Sequence, residues 1–271
     1  MALRLNRMLF QQTDADSGAL SMLGTVVHAV ADVGHHLGTV YRGKEAVGEF
    51  TLRVEESGPP QVHVDLAAQG LHGVSKRHGS HGKGDGCCDD DDAGGGHTDS
   101  TYAVAPGGHA VFHVSTGSGG YAVTLAQAGR SERPDERRER GDGQSGVWDS
   151  RQLEPGDLFA VTLLRPGSYR VSDEGGRAEA RLRLAYPERG KTAYRPPEPL
   201  HIAVSEDGFE PKDIQLQPLQ GQVYEIRAGA RIAISLVDPD DGPQRPDDGG
   251  HEPERPRPPR MSLRRRHVPE E

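Results

Sequence analysis

Leucine, isoleucine, valine and phenylalanine, which make up most protein cores, are missing from long stretches of this 271-residue chain. Residues 75–103 contain none of the four, nor do residues 127–146, and residues 238–271 contain only Leu263 and Val268. Segments of this kind bury too little apolar surface to offset the entropy lost on folding. The sequence therefore predicts a folded core with two polar insertions, followed by a disordered tail over residues 238–271.

The net charge of −9 is unevenly distributed, because residues 255–269 carry six arginines and no acidic residue. The rest of the chain is correspondingly more acidic, and an acidic surface repels the phosphate backbone of nucleic acids. We therefore expect that the folded core does not bind nucleic acid. The arginine-rich tail is either a solubilising segment or a contact for an anionic surface.

Cysteine content and apolar runs restrict the class of protein further. The two cysteines, Cys87 and Cys88, are adjacent and cannot build a disulfide framework. The N-terminal residues lack the apolar core of a secretory signal, and no apolar run approaches the roughly 20 residues of a membrane helix. These features predict a cytoplasmic protein with no membrane span.

Residues 1–74 read as a helix-plus-hairpin module. The segments Phe50–Val54 and Val62–Leu66 alternate apolar and polar residues, and residues 55–60 between them are typical of a turn, so we expect a hairpin. Apolar residues recur three or four apart over 17–42, which predicts a helix. They are Leu20, Leu23, Val26, Val27, Val30, Val33, Leu37 and Val40.

Residues 102–237 have the pattern of a mainly β region, either one sandwich or two subdomains divided near 187–199. Short apolar runs alternate with turn signals, as in sandwiches and barrels. Pro and Gly at 154–157 and at 165–168 fit the second and third positions of type II turns. The clearest strands before the division are Val111–Val114, Tyr121–Leu125, Leu158–Leu164, Tyr169–Val171 and Ala178–Leu184; a further set spans Leu200–Val237.

Two motifs in this region resemble the cupredoxins, the blue-copper family. Trp148-Asp149-Ser150 is followed by Leu153-Glu154-Pro155-Gly156, and Pro166-Gly167-Ser168-Tyr169 comes shortly after. Residues 208–214, with Gly221-Gln222-Val223, are similar to the opening of a cupredoxin. The resemblance covers residues 102–186, and 200–237 less closely. It implies a Greek-key sandwich or barrel.

The ligands of blue copper are missing from the corresponding positions. Such a centre needs two histidines, a cysteine thiolate and a weak axial methionine. The family supplies Cys, His and Met just after the Pro-Gly-x-Tyr strand, where this chain has Ser172–Arg177, and no histidine lies between His113 and His201. The sequence therefore predicts a copper-free cupredoxin-like domain without a cofactor. The sequence also lacks the common motifs of catalytic nucleophiles, of nucleotide binding and of zinc proteases.

Two groups of residues are candidate metal ligands. Thiolate, imidazole and carboxylate groups, which suit zinc or copper, gather in a Gly-, His- and Asp-rich insertion at 75–101, although their spacing matches no zinc motif. These ligands are His78, His81, Cys87, Cys88 and His97, beside Asp89–Asp92. The alternative is a disordered polar insertion. On the predicted helix, His28, Asp32 and His35 share a face and form a second candidate, against the alternative of ordinary surface residues.

The sequence thus favours a non-catalytic, copper-free, cupredoxin-like module that binds another protein or assembles with it; self-association remains open. The alternative is a metal-handling protein that chelates zinc or copper through residues 78–97. A third hypothesis is an enzyme whose catalytic residues are scattered across the fold.

Overall fold

The computed structural model describes residues 12–69, 100–128, 147–175, 178–186 and 194–240. These residues are mainly β-strand, and the helix among them, α1, is a single turn at Leu66–Gln69. The strands of the first part of the chain are β1 Asp14–Asp16, β2 Gly24–Val30, β3 Gly34–Arg42, β4 Glu45–Val54, β5 Gln61–Asp65, β6 Ser100–Val104, β7 Gly108–His113, β8 Tyr121–Gln127 and β9 Val147–Asp149. Those of the second part are β10 Leu158–Thr162, β11 Gly167–Asp173, β12 Glu179–Leu184, β13 Leu200–Ser205, β14 Gly208–Glu210, β15 Asp213–Leu216, β16 Gly221–Ile226 and β17 Ile232–Pro239.

The strands form three sheets. The seven-stranded sheet has the order β14-β13-β16-β10-β2-β7-β5. The first five-stranded sheet has the order β6-β4-β3-β8-β9, and the second has the order β1-β17-β11-β12-β15. Side chains from all three sheets belong to one buried apolar cluster, so the architecture is that of a layered β-sandwich.

The core is organised around one row of side chains that crosses the seven-stranded sheet. Strand pairing places six neighbouring residues in this row, and each is 0% exposed. They are Val64, Phe112, Val26, Phe159, Tyr224 and Ile202. From the first five-stranded sheet, the rings of Phe50 and Trp148 lie 6.3 and 5.4 Å from that of Phe112. This face of the seven-stranded sheet is therefore the buried one.

The fold contains an approximate two-fold repeat whose axis passes through the paired residues Val26 and Phe159. On each side of the β2–β10 pair, the next strand runs antiparallel and the one after it runs parallel. Each five-stranded sheet likewise has three antiparallel pairs and one parallel pair, in matching order. The sequence Asp16-Ser17-x-x-Leu20 recurs as Asp149-Ser150-x-x-Leu153. The two copies are separated by as many residues as Val26 and Phe159 are.

Two linkers connect the halves in equivalent ways. Ser17 Oγ accepts the backbone N–H of Ile232 at 3.1 Å, and Ser150 Oγ accepts that of Val123 at 2.9 Å. Each linker then crosses to the other half, where the Leu20 N–H donates to Tyr121 O at 2.7 Å and the Leu153 N–H donates to Ala230 O at 2.9 Å. Because each linker bonds to both halves, it joins the two five-stranded sheets.

The helix predicted over residues 17–42 is wrong, since these residues form β2 and β3. The apolar spacing misleads because β2 is partly buried on both faces: Val26 points into the core while Val27 is half-buried on the opposite side. Valine is β-branched and favours strands, and glycine disfavours helix interiors.

The predicted hairpin is also wrong, although both of its strands exist. β4 belongs to the first five-stranded sheet and β5 to the seven-stranded sheet, so the turn between them crosses from one layer to the other. At Gly58 in this connection, a Cβ atom would lie 2.6 Å from the carbonyl oxygen of Val104, so glycine is required. The connection passes too close to the end of β6 there for a side chain.

The strands predicted within 102–237 are confirmed, but the regions assigned to separate domains share sheets. β2 pairs with β7 and β10, and β3 pairs with β8. β12 pairs with β15, across the division suggested near 187–199.

The polar insertion and the tail fall largely outside the described residues. Of the insertion at 75–101, only the last two residues are described, and they begin β6. The tail lies outside the described residues beyond Asp240. In the part of the chain that is described, no helix is long and apolar enough to cross a membrane.

Candidate functional site

A buried carboxylate, Asp157, organises a polar network between the two halves of the fold. Its Oδ1 atom lies 2.7 Å from Nδ1 of His28, and its Oδ2 atom accepts the indole N–H of Trp148 at 2.9 Å. The backbone N–H of Glu154 donates to the same oxygen at 2.8 Å. Asp157 is 2% exposed. Its desolvation is therefore offset by three hydrogen bonds, as a buried carboxylate requires.

His28 is held by stacking as well as by this hydrogen bond. Its ring lies 4.3 Å from the ring of Trp148 at an interplanar angle of 26°, and Trp148 in turn stacks on Phe112. Among the described residues, Nε2 of His28 has no hydrogen-bond partner. A histidine oriented in this way by a carboxylate has the form of a proton acceptor or of a single metal ligand.

The network has no counterpart in the other half of the fold. The two-fold repeat relates His28 to Val161, Asp157 to Gly24 and Trp148 to Ala15. Since the equivalent position folds with apolar and small residues, the fold itself does not demand the polar network. It is a feature of one half alone.

The Trp148-Asp149-Ser150 motif that suggested a cupredoxin serves structural roles here. Trp148 and Ser150 make the buried contacts described above, while Asp149 pairs with Arg151 at 2.9 Å. The Arg151 guanidinium also lies 4.9 Å from the centre of the Tyr41 ring. The hydrogen bond to Asp149 raises the pKa of Arg151, so the guanidinium stays charged at all ordinary pH values.

The metal sites expected from the sequence are not assembled in the described residues. His28 lies in β2 and His35 in β3, in different sheets, so the candidate formed with Asp32 is wrong. Asp32 instead offers its backbone carbonyl to the ring of His36 at 2.8 Å. Within the described ranges, no three His, Cys, Asp or Glu side chains converge on a metal position. The other five candidates all fall in the undescribed stretch 70–99; these are His78, His81, Cys87, Cys88 and His97.

The segment that takes the place of the blue-copper ligands is partly described. Ser172 and Asp173 end β11, and Asp173 Oδ1 accepts the backbone N–H groups of Arg231 at 3.0 Å and Gly175 at 3.1 Å. This carboxylate therefore supports the start of β17. Residues 176 and 177 lie outside the described residues.

A cleft of about 470 Å³ lies between β1 and the glycine-rich turn at 117–120. Its acidic lining residues are Asp14 and Asp16, and Asp16 forms a two-point ion pair with Arg231 at 2.7 and 3.1 Å. The rest of the lining is small or hydroxyl-bearing except for Gln12 and Met22. In its described lining, the Thr13 hydroxyl donates to Asp14 Oδ2 at 3.0 Å, and no histidine or cysteine belongs to that lining.

The second face of the seven-stranded sheet, opposite the core row, is unusual in composition. We call it the outward face. It contains no lysine or arginine within the bounds of its strands. Its members are Thr25, Val27, Ala29, Gln61, His63, Asp65, His109, Val111, His113, Leu158, Ala160, Thr162, His201, Ala203, Ser205, Gly208, Glu210, Gly221, Val223 and Glu225.

The middle of the outward face is apolar, and its residues are small or β-branched apart from one leucine. Cross-strand pairing runs from Val111 to Val27 to Leu158, and the adjacent row contains Ala160 and Val223. Val111 is buried, and the other four residues are half-buried by their neighbours. An apolar sheet face is the form of surface that packs against another sheet.

Polar side chains flank the apolar patch on both sides. On the β13–β16 side, His201 Nδ1 lies 2.8 Å from Oε1 of Glu225, and the Arg227 guanidinium lies 3.7 Å from Oε2 of the same carboxylate. On the β5–β7 side, the rings of His63 and His113 lie 6.0 Å apart in an edge-to-face arrangement. Nδ1 of His113 is buried and has no hydrogen-bond partner among the described residues.

Asp65 lies at the end of β5, on the side of the patch that carries the histidines. Burial alone raises the pKa of a carboxyl group, but the hydroxyl and backbone N–H of Ser115 and the N–H of Ala67 donate to Asp65. These bonds hold the pKa of Asp65 below its ordinary value. Asp65 therefore supplies a negative charge beside His113 at neutral pH.

The exposed face of the second five-stranded sheet is charged, unlike the middle of the outward face of the seven-stranded sheet. Its outward positions in β11 and β12 include Arg170, Glu179, Arg181 and Arg183, all exposed. Such charged residues keep a sheet face in water. The motifs of the sequence did not predict the outward face of the seven-stranded sheet, although consecutive apolar residues in β2 and β10 indicate strands that are apolar on both faces.

Comparison of the chain with protein-family models, curated proteins and solved structures finds no match.

Proposed function

We propose that this protein is a non-catalytic binding or assembly module with a cupredoxin-like fold, and that it binds a protein partner through the outward face. The observation that carries the proposal is the uncharged apolar patch in which Val27, Leu158, Ala160 and Val223 are half-buried, with Val111 buried beside them. A protein face of this composition gains free energy when another protein removes it from water.

The arrangement of the other polar groups supports a binding role over a catalytic one. The Asp157 carboxylate is fully hydrogen-bonded, and Asp16 and Asp149 are paired with arginines. No described nucleophile is hydrogen-bonded to His28. Nucleophilic catalysis needs a nucleophile within hydrogen-bond reach of its base.

The proposal is tested by the size of the complex that contains the chain in extracts of its own cells. We expect the native chain to elute well above 29.2 kDa and the Val27→Arg variant to elute near that mass. Arg181→Glu, on the exposed charged face of β12, is the matched control and should behave as the native chain does. A native chain that elutes at its own monomer mass contradicts the proposal.

The metal-handling alternative depends on residues 78–97, which lie outside the described residues. It stays a prediction from the sequence.

A further inference from the structure

The partner of the outward face is, we propose, a second copy of this chain, packed face to face about a two-fold axis parallel to the strands. This inference rests on the proposed function, because it names the occupant of the same surface. Two observations support it: the size of the surface, and the distribution of charge across it.

The size of the outward face matches the smaller stable interfaces between proteins. Six strands, from β5 to β13, at a spacing of about 4.8 Å span about 29 Å, and five residues at about 3.3 Å each span about 17 Å. One copy therefore offers about 500 Å², and two copies together bury about 1,000 Å², which is the lower limit for a specific interface. Such a dimer should be of moderate affinity, with a dissociation constant in the micromolar range.

The charge distribution favours one orientation of the two copies. A two-fold axis that runs along the strands between β2 and β10 places the β5–β7 side of one copy over the β16–β13 side of the other. Because this rotation keeps residues in their cross-strand rows, Asp65 of one copy then lies over His201 of the other. Glu225 lies over Val111, between His109 and His113.

This orientation also places the apolar patches of the two copies against each other. Val27 and Leu158 are cross-strand neighbours at the axis, so Val27 of one copy meets Leu158 of the other. Small and β-branched side chains allow two sheets to pack closely at about 10 Å. These strands contribute no lysine or arginine, and Arg227, one residue past β16, is paired with Glu225 at 3.7 Å.

Sedimentation equilibrium of the purified full-length chain, from about 1 to about 100 µM at about pH 7.5, tests the inference across the micromolar range expected above. We expect the average mass to rise from near 29.2 kDa towards twice that value with concentration. Val27→Glu and Val223→Glu, one in each half, should each weaken the association at least tenfold, while Arg181→Glu leaves it unchanged. Two separate face variants are used so that a failure of one to fold, seen by circular dichroism, leaves the other as the test.

Three results overturn the inference: a native chain that stays monomeric at the highest concentration, face variants that dimerise as the native chain does, or a control variant that loses association equally. A monomeric purified chain that still forms a Val27-dependent complex in cell extracts would refute self-association and leave the proposed binding function standing, with another protein as the partner. A chain that is monomeric both when purified and in extracts would refute both proposals.

Discussion

Val26 and Phe159 face each other on the approximate two-fold axis of the seven-stranded sheet, where β2 and β10 pair. Both side chains are 0% exposed, and they link the cores of the two halves. The repeat extends from this pair to the linkers, the strand directions and the order of both five-stranded sheets. It divides the contacts of the fold into those that occur twice and those that occur once, and each group can be tested.

The serines of the two linkers should contribute equally to stability. Ser17→Ala and Ser150→Ala each remove a buried acceptor and leave a strand N–H, of Ile232 or Val123, without its partner. We expect each variant to lower the free energy of unfolding by about 1–2 kcal/mol. Urea denaturation of the two variants, with Ser168→Ala at an exposed position of β11 as control, measures the difference. A neutral effect at one serine and a large one at the other would contradict the equivalence.

Replacement of Asp157 should lower the free energy of unfolding more than replacement of His28. Asp157→Asn removes the negative charge from all three hydrogen bonds and presents an NH₂ group either to the Trp148 and Glu154 N–H donors or to His28, and we expect a loss of about 2–4 kcal/mol. His28→Val introduces the residue found at the equivalent position, Val161, and leaves Asp157 with two donors. We expect it to cost about 1–2 kcal/mol. Thermal or urea unfolding gives both values, and the reverse order would show that Asp157 does not organise the linker.

Buried tyrosines predict a loss of stability at alkaline pH. Burial raises the pKa of Tyr169 to about 12, from an ordinary value near 10, and it raises the pKa of Tyr224 as well. Because the folded state holds these protons more tightly, their contribution is fully present below about pH 10 and is lost as the pH rises from about 10 towards about 12. Each group adds a slope of about 1.4 kcal/mol per pH unit.

Urea unfolding between about pH 8 and about pH 11 measures this slope. Tyr169→Phe should reduce the decline above about pH 10, whereas Tyr186→Phe, at an exposed tyrosine, should leave it unchanged. An identical decline in both variants would show that Tyr169 is not the group responsible.

Metal content separates the binding module from the metal-handling alternative. Chelation by the insertion predicts about one equivalent of zinc or copper in protein purified without a tag or chelator, lost in the Cys87→Ser/Cys88→Ser variant. Binding through the outward face predicts that the same variant associates as the native chain does, whatever its metal content. Elemental mass spectrometry together with sedimentation equilibrium decides between them, and association lost along with the cysteines would contradict the account.

The sequence predicted the fold best where local signals dominate. The strands from Val111 to Val237 follow alternating or compact apolar runs, and the Glu154–Asp157 turn closes with a hydrogen bond of 3.0 Å while Gly156 adopts the positive φ of 99°. The second predicted glycine turn differs, because Gly167 already belongs to β11. A Cβ there would lie 2.6 Å from Asp238 O, so close packing of strands requires that glycine.

Prediction failed where a residue's role depends on distant partners. The valines of β2 look helical because both faces of the strand carry apolar residues, one set in the core and the other in the outward face. His28 meets Asp157 and Trp148 only through the pairing of β2 with β10 and the path of the second linker. The outward face is built from strands that are far apart in the sequence, so no local motif predicts it.

The most direct test of the account is site-specific photo-crosslinking in the cells that make the protein. A photoreactive amino acid placed at Val27 or at Val223 should give one discrete crosslinked species, and the same residue placed at Arg181 should give none. A species of twice 29.2 kDa identifies a second copy, and any other discrete mass identifies a different protein partner. Absence of crosslinks at both face positions, or equal crosslinking at Arg181, would contradict the claim that this protein functions through the outward face of its seven-stranded sheet.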